Sequence, residues 1–136
     1  MMGMALSWGE DRDSAVCDFS IGYGSYAGLV DEICDRVGAY DERIYKLRSP
    51  EILYDGEGEE KQYSGQKWSK EDAREIYESM DEIKFLCTFP KKFRKWIING
   101  AVAGDRPDGI DDDEMLWARF RIVRDIFSHG TPVYGG

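Results

Sequence analysis

The sequence predicts an α+β domain, mostly helical, in which about four helices accompany a small antiparallel sheet. Three observations carry this. Near the N-terminus, apolar and polar residues alternate at a period of two, the signature of a half-buried strand. Further on, apolar residues recur at three- and four-residue spacing in several separate stretches, as amphipathic helices require. Glycine and proline punctuate those stretches rather than fill them. At 136 residues the chain has the length of one domain, 1–136, large enough to bury a core without a disulfide or metal.

The elements follow in order. Met4, Leu6 and Trp8 alternate with polar or small residues, as do Ala15, Cys17, Phe19, Ile21 and Tyr23. The polar stretch Gly9 to Asp13 between them makes an N-terminal β-hairpin. Ser25 is placed to cap a helix carrying Tyr26, Leu29, Val30, Ile33 and Val37, with Gly38 as its stop. A shorter helical turn bears Tyr40, Ile44 and Leu47 and ends at Pro50. Ile52 to Tyr54 forms a short strand, and the polar, glycine-containing stretch 55–67 reads as an exposed loop. Ser69 caps a long helix whose buried stripe is Ala73, Ile76, Tyr77, Met80 and Ile83.

Pro90 suits the first turn of the next helix, which bears Phe93, Trp96 and Ile97 and stops at Asn99-Gly100. Its exposed face is basic: Lys91, Lys92, Arg94 and Lys95. The last helix opens on a capping-box-like pair, Asp111 and Glu114, with Ile110 stapled against Met115. Met115, Leu116, Phe120, Val123, Ile126 and Phe127 form its apolar face, Phe120 and Val123 meeting the Ile76–Met80 stripe. Gly130 and Pro132 end it, and Thr131 to Tyr134 adds an edge strand to the hairpin.

Charge narrows the function classes. The chain has 27 acids against 18 bases, a net charge of −9. A field of that sign repels nucleic acid and anionic lipid and attracts basic surfaces. No apolar run approaches the ~18 residues of a membrane span. Met1 to Ser7 lacks a basic leader, and Cys17, Cys34 and Cys87 are scattered singly, as in a reducing cytoplasm, so a cytoplasmic location is expected.

Several motifs invite chemistry. Gly22-Tyr23-Gly24-Ser25-Tyr26-Ala27-Gly28 satisfies a loose dinucleotide fingerprint, in which a helix N-terminus holds phosphate. That fingerprint belongs to a parallel βαβ unit, which the pattern does not continue. The plainer expectation is a tight strand-to-helix turn with a positive φ at Gly24 and Ser25 as the cap. Calcium loops fail at their ligand positions, and one histidine with three separate cysteines does not make a zinc site. Asp55, Glu59 and Lys61 spell a nuclease-like D-x3-E-x-K, but in a glycine-glutamate loop rather than on adjoining strands. His129 falls at a helix C-terminus, where its charged form is favoured.

Two acidic clusters remain. One is Glu51, Asp55, Glu57, Glu59 and Glu60; the other is Asp105, Asp108 and Asp111 to Glu114. Carboxylates spread along a loop and a helix start can imitate backbone phosphates and fill a basic groove. In size, acidity, cytoplasmic character and lack of a catalytic set, the chain is similar to phage-encoded inhibitors of bacterial defence, of the anti-CRISPR and anti-restriction type. That likeness is one of class and involves no shared motif. The leading expectation is a non-enzymatic inhibitor in the bacterial host cytoplasm, without cofactor or metal. It would block a basic, nucleic-acid-handling protein through Glu57, Glu59, Glu60, Asp105, Asp108, Asp112 and Asp113, binding neither nucleic acid nor membrane itself. The alternative is a small-ligand protein that holds a nucleotide or another anion at Gly22, Gly24, Ser25 and Gly28.

Overall fold

The N-terminal alternation yields a hairpin, β1 (Gly3–Trp8) and β2 (Val16–Gly22), paired antiparallel with a bulge after Leu6. This is a computed structural model that describes residues 3–100 and 106–136, without the side chain of Asp18. A second hairpin pairs β3 (Glu51–Asp55), the strand expected at Ile52 to Tyr54, with β4 (Gln62–Trp68), which occupies the stretch that reads as a loop. The sequence hides β4 because its residues are polar and Gly65 interrupts the alternation. Pairing with a neighbour on each side supplies the backbone bonds that side-chain burial does not advertise. Gly65 itself is required. Its φ is +143°, and a Cβ there would meet the Gly135 carbonyl oxygen at 2.7 Å.

The C-terminal strand β5 (Val133–Gly135) is central, not at an edge. The five strands run in the order β2-β1-β5-β4-β3, so β5 stitches the two hairpins together. Leu6 and Gln66 both sit opposite Gly135, and Trp8 and Trp68 both sit opposite Val133. Val133, Tyr134 and Gly135 are all buried, as a strand covered along both edges and a face should be. The fold class, mixed α+β with an antiparallel sheet, stands; the sheet is larger and the helices more numerous than expected.

Among the described residues there are five α-helices: α1 (Tyr23–Gly38), α2 (Lys70–Ser79), α3 (Glu82–Leu86), α4 (Lys91–Ile98) and α5 (Asp111–Phe127). A 3₁₀ segment, Glu42–Arg48, lies between α1 and β3. Its Asp41 cap accepts from the Arg43 N–H, and Gly38 lets the Tyr45 ring pack where a Cβ would overlap it.

The long helix expected over Ser69 to Ile83 is two helices. Ser69 caps α2 as read, accepting from Asp72 N–H at 3.1 Å. Met80 then leaves helical geometry with φ −88° and ψ 63°. Asp81 caps α3 by accepting from Lys84 N–H at 2.9 Å, and Arg124 Nε takes the freed Met80 carbonyl at 2.6 Å. The break rotates the helical period, so Ile83 is 77% exposed rather than part of the buried stripe. The start of α5 also departs from expectation. Ile110, fully buried, takes the N-cap place, no side chain caps the helix, and Met115 points outward, 51% exposed.

One apolar cluster joins sheet to helices: Met4, Leu6, Val133 and Trp68 from the strands, Ile33, Ile76, Phe93, Phe120 and Val123 from the helices. Phe120 stacks on Phe85 with ring centroids 3.7 Å apart. Burial of Phe120 and Val123 is as the stripes of α5 and α2 require. Trp68 Nε1 donates to the Lys46 carbonyl at 3.0 Å, tying β4 to the 3₁₀ segment.

Candidate protein-binding surface

The β3–β4 hairpin extends past the cover of the helices. Ile52 lies opposite Gln66, and Tyr54 lies opposite Tyr63. Trp68, two residues beyond Gln66 and so on the same face, is buried against the core. Further out, that face carries an exposed Ile52 and a half-buried Gln66. Register brings α1 to it. β1 and β4 flank β5, with Leu6 and Gln66 level, so Gly3 and Tyr63 fall at the same end of the sheet. Gly3 pairs with Gly22, and Tyr23 starts α1 there.

Tyr23 and Tyr63 therefore border the same space. Both line a cavity of about 590 Å³ with Ile52 and Gln66, and both line one of about 180 Å³ with Gly3, Met4, Ser64 and Gly136. The rings are solvent-accessible: Tyr23 is 54% exposed, Tyr54 56% and Tyr63 47%. Tyr26, one turn along α1, is buried, and its hydroxyl has no hydrogen-bond partner among the described residues. Burial pushes the Tyr26 phenol above its ordinary pKa, and the nearby Cys34, Tyr23 and Tyr63 add to that.

Beside these rings stand the first cluster's acids. Glu57, Glu59 and Glu60 form the exposed hairpin tip around a short 3₁₀ turn, with Glu51 and Asp55 at the two ends of β3. None of the five makes an ion pair among the described residues. The one cation of the tip, Lys61, stands 5.8 Å from the Tyr54 ring centre.

Two acids of the second cluster are paired. Arg106 donates to both Asp111 and Glu114, the two residues expected to cap. Lys92 Nζ donates to the Asp108 carbonyl at 3.0 Å. Asp112 is exposed and Asp113 half-buried; both line a groove of about 350 Å³ with Gly28, Glu32, Arg36 and Arg119. That groove contains none of the hairpin acids. Asp105 lies outside the described residues.

The glycine segment loses its turn. Helix α1 begins at Tyr23, three residues before the start expected from a Ser25 cap, and Gly22 enters it at φ −58° and ψ 145°, open to any residue. Gly24, Ser25 and Gly28 are exposed helical positions, and a Cβ at either glycine would meet nothing within 4 Å. Gly24 has no positive φ. The strand passes straight into the helix in an all-antiparallel sheet, so the phosphate-cradling loop of the fingerprint is missing.

The other motifs find ordinary places. Asp55 ends β3, while Glu59 and Lys61 belong to the turn after it. His129 stacks on Trp8 with centroids 3.6 Å apart and lies 3.7 Å from Asp125. Cys34 is buried, burial raises its thiol pKa to about 11, and Cys17 and Cys87 are exposed. Among the described residues, no three His, Cys, Asp or Glu side chains are grouped to hold a metal, and no helix is long and apolar enough to cross a membrane.

Sequence reasoning missed Tyr23, Ile52, Tyr54 and Tyr63. The Ile52/Tyr54 alternation marks a strand, yet it does not say which face the helices leave bare. Comparison with family models, curated proteins and solved structures finds no match.

Proposed function

We propose that this protein is a non-enzymatic binding module that docks the β3–β4 hairpin onto a basic surface of another protein. The observation behind this reading is the pairing of unpartnered carboxylates with exposed tyrosines on one hairpin. Interfaces place aromatic anchors at their centre and polar groups at the rim, and tyrosine is among the residues enriched there. Here Tyr23, Tyr54, Tyr63 and Ile52 supply the anchors, and Glu51, Asp55, Glu57, Glu59 and Glu60 supply the rim. Carboxylates without internal cations keep their full field for a partner, which raises association rates and selects basic surfaces.

A net charge of −9 turns nucleic acid away and favours the proteins that bind it. Blocking such a protein is the finer form of the proposal, as an inhibitor of the anti-CRISPR or anti-restriction kind would do in a host cytoplasm. The test is capture from a bacterial lysate at low salt with the unaltered protein and with Glu59→Gln/Glu60→Gln. The expected result is a basic protein held by the first, released by added duplex DNA, and held weakly by the second. Equal capture by both, insensitive to salt and DNA, would sink the reading.

A further inference from the structure

The larger hairpin cavity has a lining with a definite chemical preference. Two phenol rings, Tyr23 and Tyr63, face a space bounded by the Ile52 side chain and the Gln66 amide, and among the described residues no cation lines it. The Tyr26 hydroxyl, one turn along α1 from Tyr23, is buried and has no hydrogen-bond partner among the described residues. Carboxylates without ion pairs stand at both ends of β3 and around the tip. Rings attract a planar cation, the aliphatic wall suits an apolar stem, and the amide and phenol oxygens accept from donors.

A guanidinium meets all of these requirements. It is planar, carries only donors, is more weakly hydrated than an ammonium and stacks on aromatic faces. Among the described residues the chain already uses that contact four times, most closely with Arg36 4.5 Å from the Phe89 ring centre and Arg124 4.6 Å from that of Tyr77. An apolar side chain would gain nothing from the acids. A second copy of the chain would bring its own net −9 against them. We infer that the cavity between Tyr23 and Tyr63 takes an arginine side chain of the partner protein, an inference that rests on the acidic-hairpin reading and names what it recognises.

The probes are three ten-residue peptides alternating glycine with arginine, lysine or citrulline, titrated at low salt. The arginine peptide should bind roughly 3- to 30-fold more tightly than the lysine one, the range a cation–π contact gives between exposed and desolvated sites. The citrulline peptide, similar in shape but uncharged, should bind least. Tyr23→Leu with Tyr63→Leu should erase the arginine preference and leave the weaker lysine binding in place. In the unaltered protein, the ring-proton NMR signals of Tyr23 and Tyr63 should move with the arginine peptide and stay still with citrulline. Glu59→Gln with Glu60→Gln should weaken the arginine and lysine peptides alike, which tests the acidic reading separately. An arginine preference that survives the leucine variant, or still ring signals, would overturn the cavity assignment while the acidic reading stands. Unchanged binding in the glutamine variant would overturn the acidic reading instead.

Discussion

The chain has two dense runs of carboxylates, and the fold treats them differently. At the start of α5, Asp111 and Glu114 share Arg106, Lys92 holds the preceding turn, and Arg36 and Arg119 border the groove beside Asp112 and Asp113. These acids also stand in the first turn of a helix, where its dipole favours negative charge. At the β3–β4 tip, Glu57, Glu59 and Glu60 have no helix dipole of any length and, among the described residues, no ion pair. The start of α5 thus sets its acids among cations, with ion pairs to Asp111 and Glu114, whereas the acids of the hairpin tip have no ion pair among the described residues. The cations, placed by the fold, make the distinction.

Substitutions on the two sides should separate stability from binding. The largest effect belongs to the helical side. Phe120→Ala removes a fully buried ring stacked on Phe85, and chemical denaturation should record a loss of ~3–5 kcal/mol. A loss under about 1 kcal/mol would take α5 out of the core. Next comes α1, where Gly24→Ala and Gly28→Ala should each raise stability by up to ~1 kcal/mol, since both are helical, exposed and unobstructed. Destabilisation at Gly24 would restore the tight turn that the sequence suggests. Arg106→Ala should lower the melting temperature slightly at low salt and not at all at 1 M salt, because it strips the partner from two exposed acids. Smallest of all, Glu59→Gln with Glu60→Gln should change stability by less than ~0.5 kcal/mol, for nothing in the fold depends on those charges. A clear gain in melting temperature there would mean that the tip acids repel one another appreciably, and the contrast between the clusters would sharpen.

Where local signals agreed with tertiary packing, the structure was legible. The first hairpin, the Ser69 cap and the buried face of α5 from Phe120 onward follow directly from period and cap chemistry. Strand β4 was not legible, because Gln62, Ser64, Gln66 and Lys67 give it no apolar period and only pairing with β3 and β5 defines it. The place of β5 depends on which edges are free when the rest has folded, and three residues cannot encode that. The break at Met80 did carry a signal, since Asp81 followed by Glu82 is a good helix start, but the continuing apolar stripe obscured it. The acids of the site were legible as a cluster. Their lack of partners, and the tyrosines beside them, depend on register and on where the helices stop covering the sheet.

The division between the two clusters is tested most directly by association kinetics. The captured partner would be mixed with Glu59→Gln/Glu60→Gln and, separately, with Asp112→Asn/Asp113→Asn, at low and at physiological salt. The hairpin variant should associate severalfold more slowly at low salt and converge on the unaltered protein as salt rises, while the α5 variant follows the unaltered protein throughout. A slowed α5 variant beside an unaffected hairpin variant would contradict the assignment and move the binding surface to the start of α5.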